Sequence, residues 1–489
     1  MTKKVLIVGG GISGLSTAWW LSQAGMEVEI WERDKRPGGK IKTTEHDGYT
    51  MEQAAALLLN FRPEVAELIA KSGLEKLKSS RTQLAEQNRY LLSNGKLNSI
   101  SMNMQSVLFS KSWSMRGRLR MLAEPFIPRG GSENETVSEF ITRRFGRELL
   151  EKAMDPFVSG TLASDPDLAN AEATLGRLTA LEKRYGSLTA GAMIHKFNRK
   201  KSGCITETFS FKGGMSTLVE QLARQSGITF RTNLEATAIE RAPGSTNNSP
   251  KWRLFGHDRS SPQSIEIEQD AHHIIFSTPA AVTATLLSSI SPEASRLLDG
   301  IEYAPLTVLH TGFDRGQIDH SLDGTGFLTP KSENTPFNGN IWMSSLFNNR
   351  APEGKILLTT YLGGARHPEI QQWKSEEIVE RTVSALKPIL GINGAPEMVT
   401  LHRHQDALPL YHGRYAARVK QIKSNISSSP GIHIAANYIG GVSVRDRIAQ
   451  GQILSAEILK QENISPSTAS VSTIRSIWRP SDHSVLHTS

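Results

Sequence analysis

Apolar runs that end in glycine alternate along this chain with stretches of helix-forming residues. Val5 to Val8 is continuously apolar and stops at glycine, as a strand buried on both faces of a parallel sheet would. "KKVLIVGGGISGLSTAWWLSQAGMEVEIWER" therefore predicts strand, turn, helix, strand, with Val28 to Trp31 as the second strand. Similar units return far downstream. "TFSFKGG" predicts a strand and turn, "MSTLVEQLARQ" a helix, and "ITFRTNLEATAIER" two short β segments. "AHHIIFSTPAAVTATLL" predicts a strand running into a helix, with Thr278 and Pro279 at the junction. "GIHIAANYIGGVSVRDRIAQGQILSAEIL" predicts a strand, a Gly-Gly turn and a helix from about Val444. One α/β domain assembled from separated segments accounts for this order.

Two other regions differ in character. Residues 91–203 read as helical, and from Leu91 to Ala123 there is no acid, while Lys96, Lys111, Arg116, Arg118 and Arg120 occur. Met102, Met104, Phe109, Trp113, Met115 and Leu119 are interleaved with them. A basic segment carrying apolar and aromatic residues suits an anionic membrane surface, and equally a helical subdomain with a solvated basic face. "HKFNRKK" (195–201) is a second basic cluster. Residues 291–400 mix strands and helices ("YAPLTVLHTGF", "ILLTTYLGG", "EEIVERTVSALKPIL"), the pattern of a mixed sheet. The segment 461–489 is rich in Ser and Thr and predicts a disordered tail.

The totals narrow the class. A length of 489 residues exceeds one core and calls for two or three domains. The net charge of +8 suits anionic lipid or an acidic substrate, and no nucleic-acid motif accompanies it. Cys204 is the only cysteine, so no internal disulfide forms and a reducing, cytoplasmic setting is expected. No run approaches the roughly 18 apolar residues of a membrane span, and no signal peptide is visible.

The chemistry lies first in Gly9, Gly11 and Gly14, spaced G-x-G-x-x-G. Gly9 permits the tight turn, Gly11 lets backbone approach a pyrophosphate, and Gly14 lets helix and strand close together. The helix that follows offers free N–H groups to phosphates. Glu32 ends the second strand, where a carboxylate accepts from the ribose hydroxyls of an ADP moiety. A second such glycine motif is absent from the sequence, which favours an oxidase over an enzyme reduced by a nicotinamide. The 14 histidines include two close pairs, His272 with His273 and His402 with His404. Both pairs read as strand residues, and no metal site is expected.

"RDKRPGGKIKT", with Arg36, Gly38, Gly39, Lys40 and Thr43, resembles the R-x-G-G-[RK]-x-x-[ST] segment of amine-oxidase-type flavoproteins, which points to FAD. Further segments resemble the protoporphyrinogen and coproporphyrinogen oxidases of that superfamily. They are "EPFIPRG", "RRFGRELLEKAMDPFVSGTLASDPDLANAEATLGRL", "FSFKGGMSTLVEQL", "SSLFNNRAPEGKILLTTYLGGARHPE", "ALPLYHGRY" and "NYIGGVSVRDRIAQG". The resemblance implies an α/β fold with a discontinuous FAD-binding, Rossmann-like domain (1–90, 204–290, 401–460). It also implies a mixed-sheet substrate domain (291–400) and a helical membrane-associating domain (91–203). FAD contacts are implied at Gly9, Gly11, Gly14, Glu32, Arg36, Gly39, Lys40, Ala238, Thr278, Gly441, Val442 and Ser443. The implied reaction is dehydrogenation of a porphyrinogen, protoporphyrinogen IX to protoporphyrin IX, with oxygen as acceptor, in haem synthesis. The flavin carries the chemistry, so no catalytic side chain is assigned. Peripheral membrane contact through 91–122 and pairing as a homodimer are the remaining partner expectations.

Two departures fall on the substrate side. Ala54 and Ala55, in "YTMEQAAALLLN", stand where the family has Gly-Pro, although Glu52 keeps the acidic position. The Ala-Leu run predicts an apolar wall or the first turn of a helix. Arg62 is the nearest arginine for a substrate carboxylate, and an exposed helix-start arginine before Pro63 is the reading that its position favours. In "SGTLASD", Gly160 is kept, but Ser164 replaces a second glycine, so its side chain either narrows the approach to the flavin or faces away. Two other functions stay open: a flavin oxidase of another apolar or amine substrate, and a non-catalytic FAD protein that binds tetrapyrroles.

Overall fold

The computed structural model describes residues 3–99, 113–132, 134–199, 206–246, 249–260 and 264–464. Five parallel strands form its central sheet, in the order Ile228–Arg231, Glu27–Trp31, Lys4–Val8, His273–Phe276, Ile432–Ile434. Alternate side chains of the first strand go to opposite faces. Val5 and Ile7 join the core with the helices Ile12–Gln23 and Val444–Gln461, while Leu6 and Val8 join the one with Ala280–Leu287. Burial on both sides is why these strands read as unbroken apolar runs. The first helix leads toward one edge of the sheet, and the neighbour on the other side comes from residue 273 onward. That reversal opens a crevice at the carboxyl ends of the strands, where open α/β sheets bind ligands.

A seven-stranded mixed sheet follows the order Met398–Pro409, Tyr303–Asp314, Lys355–Gly363, Gly339–Trp342, Gly324–Leu328, Asn88–Ser93, Lys96–Ser99. One of its faces packs on the helix Ser375–Leu390 through Leu309, Leu358, Leu362, Ile378 and Leu386. This sheet corrects two expectations. The region from 91, read as helical, opens with a β-hairpin, and the strand 398–409 crosses the boundary placed at 400.

The helical region comprises chiefly Met115–Leu122, Val137–Phe145, Asp155–Leu162, Gly176–Tyr185 and Leu188–Arg199. Among the described residues its apolar core holds eight buried side chains, among them Phe140, Ile141 and Leu188, and polar bonds add to the fastening. Glu124 is fully buried and pairs with Arg144. It also accepts from the Ser187 hydroxyl at 2.8 Å and from the Leu188 and Thr189 N–H groups at 2.9 and 3.0 Å. Those N–H groups open the last helix, so Glu124 caps it from afar. Burial alone raises the Glu124 carboxyl, but the bonds from Thr189, Leu188 and Ser187 outweigh it and hold the group at about 2. A depressed carboxyl stabilises the fold above its unfolded value of 4.5, and that contribution is lost as pH falls through about 2. The protection of the amides of residues 188–194, relative to free-peptide exchange at the same pH, should fall in this window in the wild type. In Glu124→Gln the protection should be lower at neutral pH and change less with acid. An identical acid profile in both proteins would refute it.

The expected basic face needs correction. Arg120 donates to the carbonyls of Arg144 at 3.0 Å and Arg143 at 2.5 Å, so it caps the helix Val137–Phe145 rather than facing solvent. Arg116 is exposed and Arg118 partly so. Met102, Met104, Lys111, Cys204, the cluster 195–201 and the tail from 465 lie wholly or in their side chains outside the described residues.

Candidate cofactor and substrate site

The first glycine turn is built as its spacing demands. Gly9 has φ +105° and donates to the Trp31 carbonyl at 2.9 Å. A Cβ at Gly14 would lie 2.2 Å from the Gly9 carbonyl oxygen, so only glycine lets helix and strand close here. Gly11 is different: nothing lies within 4 Å of a Cβ built on it. It N-caps the helix Ile12–Gln23 without a side-chain cap, leaving first-turn N–H groups open for phosphate oxygens. An open glycine cradle over an uncapped helix start fits the pyrophosphate of FAD.

Glu32 is buried, and its oxygens accept from Gly10 N–H at 2.6 Å and Asp34 N–H at 2.9 Å. Burial pushes its pKa up while these bonds oppose the shift. The carboxylate is thereby aimed, with further lone pairs for ribose hydroxyls. Arg36 folds back onto the carbonyls of Pro37, Gly39 and Ile41 at 2.7–3.0 Å, so it shapes the loop that brings Gly38 against Gly10. Gly39, at φ +56°, packs next to Gly11. Lys40 donates to the Asp406 and Ala407 carbonyls and stands 5.3 Å from the Tyr303 ring centroid, and burial lowers its pKa.

The remaining cofactor candidates lie in separate segments. Thr278 follows the fourth strand of the sheet, and its hydroxyl meets that of Thr283 at 2.8 Å. Gly441 has φ +106°, Val442 is partly buried, and Ser443 caps the helix Val444–Gln461 while donating to Asp446 at 2.5 Å. Ala238 is exposed, next to a β-bulge in the antiparallel sheet of Leu234–Arg241, Trp252–Asp258 and Ile265–Ala271. Gly9, Glu32 and Thr278 thus leave the carboxyl ends of three neighbouring parallel strands.

The Ala-Leu run is not helical, which excludes the helical-turn alternative. The strand Tyr49–Glu52 leads into an open linker and then into Leu58–Asn60. The Gln53 carbonyl meets His404 Nε2 at 2.8 Å, and the Ala54 carbonyl accepts from Tyr361 at 3.5 Å. Donors from the mixed sheet thus satisfy linker carbonyls that a helix would have used internally. Ala54 and Ala55 are partly buried, and Ala55 packs on the core of the parallel sheet. Glu52 is held by Arg350 at 3.0 Å, Thr43 at 2.8 Å and the Met215 N–H at 2.9 Å.

Arg62 is neither exposed nor free. It begins the helix Pro63–Lys71, is about a fifth exposed (22%) and pairs with Asp446 at 2.9 Å. Gly160 admits Leu328, which would lie 2.5 Å from an added Cβ, so it serves helix-to-sheet packing. Ser164 is buried against His412 at 2.9 Å and lines a small cavity with Leu162, Thr174, Tyr411 and Val442.

Sequence reasoning did not single out Arg350, Arg89 or His310. Arg89, in the strand Asn88–Ser93, is partly buried; burial, then Arg81, lowers its pKa. His310 is fully buried, with Nδ1 2.9 Å from the Thr359 hydroxyl, and burial pushes its pKa down to about 3. Every residue from Thr307 to Phe313 is buried, and period-two spacing sets His310 opposite Leu309 and Phe313, so alternation along "LTVLHTGF" gave no signal for it. Among the described residues no group of three or more His, Cys, Asp or Glu is placed to hold a metal.

The profile of the family described as flavin containing amine oxidoreductase matches residues 12–459. Protoporphyrinogen oxidase 2, chloroplastic/mitochondrial, of Arabidopsis thaliana is 30% identical, covering 92% of this chain and 92% of its own. Coproporphyrinogen III oxidase of Bacillus subtilis (strain 168) is 25% identical, covering 94% of this chain and 98% of its own. The crystal structure of an Exiguobacterium sp. 255-15 protein, provisionally named a protoporphyrinogen oxidase, gives a TM-score of 0.73 at 22% identity, covering 94% and 99% of the two chains.

Proposed function

Starting from the chain's place in the flavin containing amine oxidoreductases, to which it belongs within the branch of the protoporphyrinogen and coproporphyrinogen oxidases, we propose that it dehydrogenates protoporphyrinogen IX in haem synthesis. It is an FAD-dependent oxidoreductase. The observation that carries the substrate reading is its full-length likeness to enzymes of both names. Bound FAD supplies the two-electron acceptor, and oxygen is proposed as the final one. The residues of this chain hold and shape. The open N–H groups after Gly11 take the pyrophosphate, and Glu32 takes the ribose. Ala54 to Leu57 form an apolar rim with no charge of its own. This suits the macrocycle with fewer carboxylates.

The test mixes flavin-loaded protein in air with each porphyrinogen and follows porphyrin fluorescence. Turnover of protoporphyrinogen above coproporphyrinogen is expected. A rate no higher than autoxidation with both would overturn the reading. Turnover of an amine would move the chain to the alternative substrate class.

A peripheral membrane site is part of the proposal. Met115, Leu119, Leu122 and Phe126 are 57–86% exposed, with Met193 and Ile194 of the helix Leu188–Arg199 also exposed. Arg116 and Arg118 lie on the same short helix as the first three. Among the described residues no helix is long and apolar enough to cross a membrane. Burying two such side chains in lipid contributes about 3 kcal/mol. The double variant Leu119→Glu, Phe126→Glu should thus weaken co-sedimentation with anionic liposomes about a hundredfold. Unchanged pelleting would remove this surface from the proposal.

A further inference from the structure

Just past the Ala-Leu linker is a basic cluster that cofactor binding and substrate oxidation leave unused. Arg177 and Arg445 stand over the Phe61 ring, their guanidinium carbons 4.2 and 4.5 Å from its centroid. Arg62 is bonded to Asp446 at 2.9 Å, and Arg445 lies 3.9 Å from the same carboxylate. Asp446 also accepts from the Ser443 hydroxyl, so one carboxylate serves two guanidinium groups and a helix cap. The Nε atoms of Arg62 and Arg445 are buried without a hydrogen-bond partner among the described residues. Their side chains are 22% and 23% exposed, and Arg445 also donates to the Leu59 carbonyl at 3.1 Å, which leaves one terminal nitrogen on each guanidinium with no bond among the described residues. The helices Pro63–Lys71, Gly176–Tyr185 and Val444–Gln461 start at or beside these residues, and their positive ends add to the field.

We propose that Phe61, Arg62, Arg177 and Arg445 form an oxyanion-binding site, for the carboxylate of a small organic acid or for phosphate. Two guanidinium groups that share one counter-charge have donors to spare, and planar forks suit carboxylate and phosphate geometry. The ring holds the forks in place by stacking. The site stands apart from the oxidation reading and does not depend on it.

The test uses the full-length, flavin-loaded protein and two probes, inorganic phosphate and glutarate, against chloride at equal ionic strength. Calorimetric titration should show saturable binding of at least one probe and none of chloride. Saturation by phosphate alone assigns a phosphate site, and by glutarate alone a carboxylate site. Arg445→Gln should weaken that binding about tenfold, as loss of one charge-assisted bond would. Arg177→Gln, at an exposed position, should weaken it while the protein stays folded with a melting temperature lowered by no more than about 2 °C, which covers the case where Arg445→Gln fails to fold. Absence of saturable binding by both probes, or equal affinity in wild type and Arg177→Gln, would overturn the proposal.

Discussion

Arg350→Ala is expected to destabilise the protein by about 3–5 kcal/mol, the usual cost of stripping one partner from a buried ion pair. Arg350 and Glu52 are 3% and 1% exposed. Arg350 also donates to Ser210 at 2.7 Å and to the Phe211 carbonyl at 3.3 Å, so it ties the strand Tyr49–Glu52 to the strand Glu207–Phe211. Without it, Glu52 keeps only Thr43 and the Met215 N–H as donors, too few for a buried carboxylate. Burial already raises the Glu52 pKa, with Arg350 the main opposing influence. Removing Arg350 raises it further. A raised carboxyl favours the folded state below its unfolded value of 4.5, and that stability fades as pH climbs through the folded value. The variant should therefore melt about 3–5 °C below wild type at neutral pH and recover part of the difference near pH 5. Adding Glu52→Gln should remove that pH dependence. A melting temperature within about 1 °C of wild type at neutral pH would show that the pair contributes little.

What the sequence revealed was mostly local. The turn from Gly9 to Gly14 and the acid at Glu32 were legible because one strand–helix–strand unit contains the whole cradle. The hairpin at 88–99 was also local but was misread, because basic residues drew the reading toward an amphipathic helix. Its signal was present: Asn94 and Gly95, at φ +53° and +70°, form the Asn-Gly pair that favours a tight hairpin turn. The linker at Ala54 misled for another reason. Alanine and leucine favour helix, but His404 and Tyr361, more than 300 residues away, meet the Gln53 and Ala54 carbonyls in place of helix N–H groups. Arg62 and Asp446 are 384 residues apart, and no pattern at either end announces the pair. Charge counting failed at Arg120 in the same way, since composition cannot tell a helix-capping arginine from a solvated one.

Gly11→Ala should separate the cofactor from the fold. At Gly11 the backbone is extended (φ −73°, ψ 173°), and nothing stands within 4 Å of the new Cβ. Alanine adopts that conformation freely, so the FAD-free protein should be as stable as wild type or more stable, by up to about 1 kcal/mol. The methyl group would occupy the space through which phosphate oxygens reach the N–H groups of the helix start. FAD affinity should fall by about a hundredfold or more, roughly 2.7 kcal/mol. Gly14→Ala should behave oppositely. Its Cβ would meet the Gly9 carbonyl at 2.2 Å, a backbone atom that cannot swing aside, so strand and helix must separate and stability falls with or without FAD. Thermal melts of FAD-free protein, with fluorescence titrations of FAD, distinguish the two. If Gly11→Ala binds FAD as tightly as wild type, the phosphates do not rest on this turn, and the cradle must be sought elsewhere along the carboxyl ends of the parallel strands.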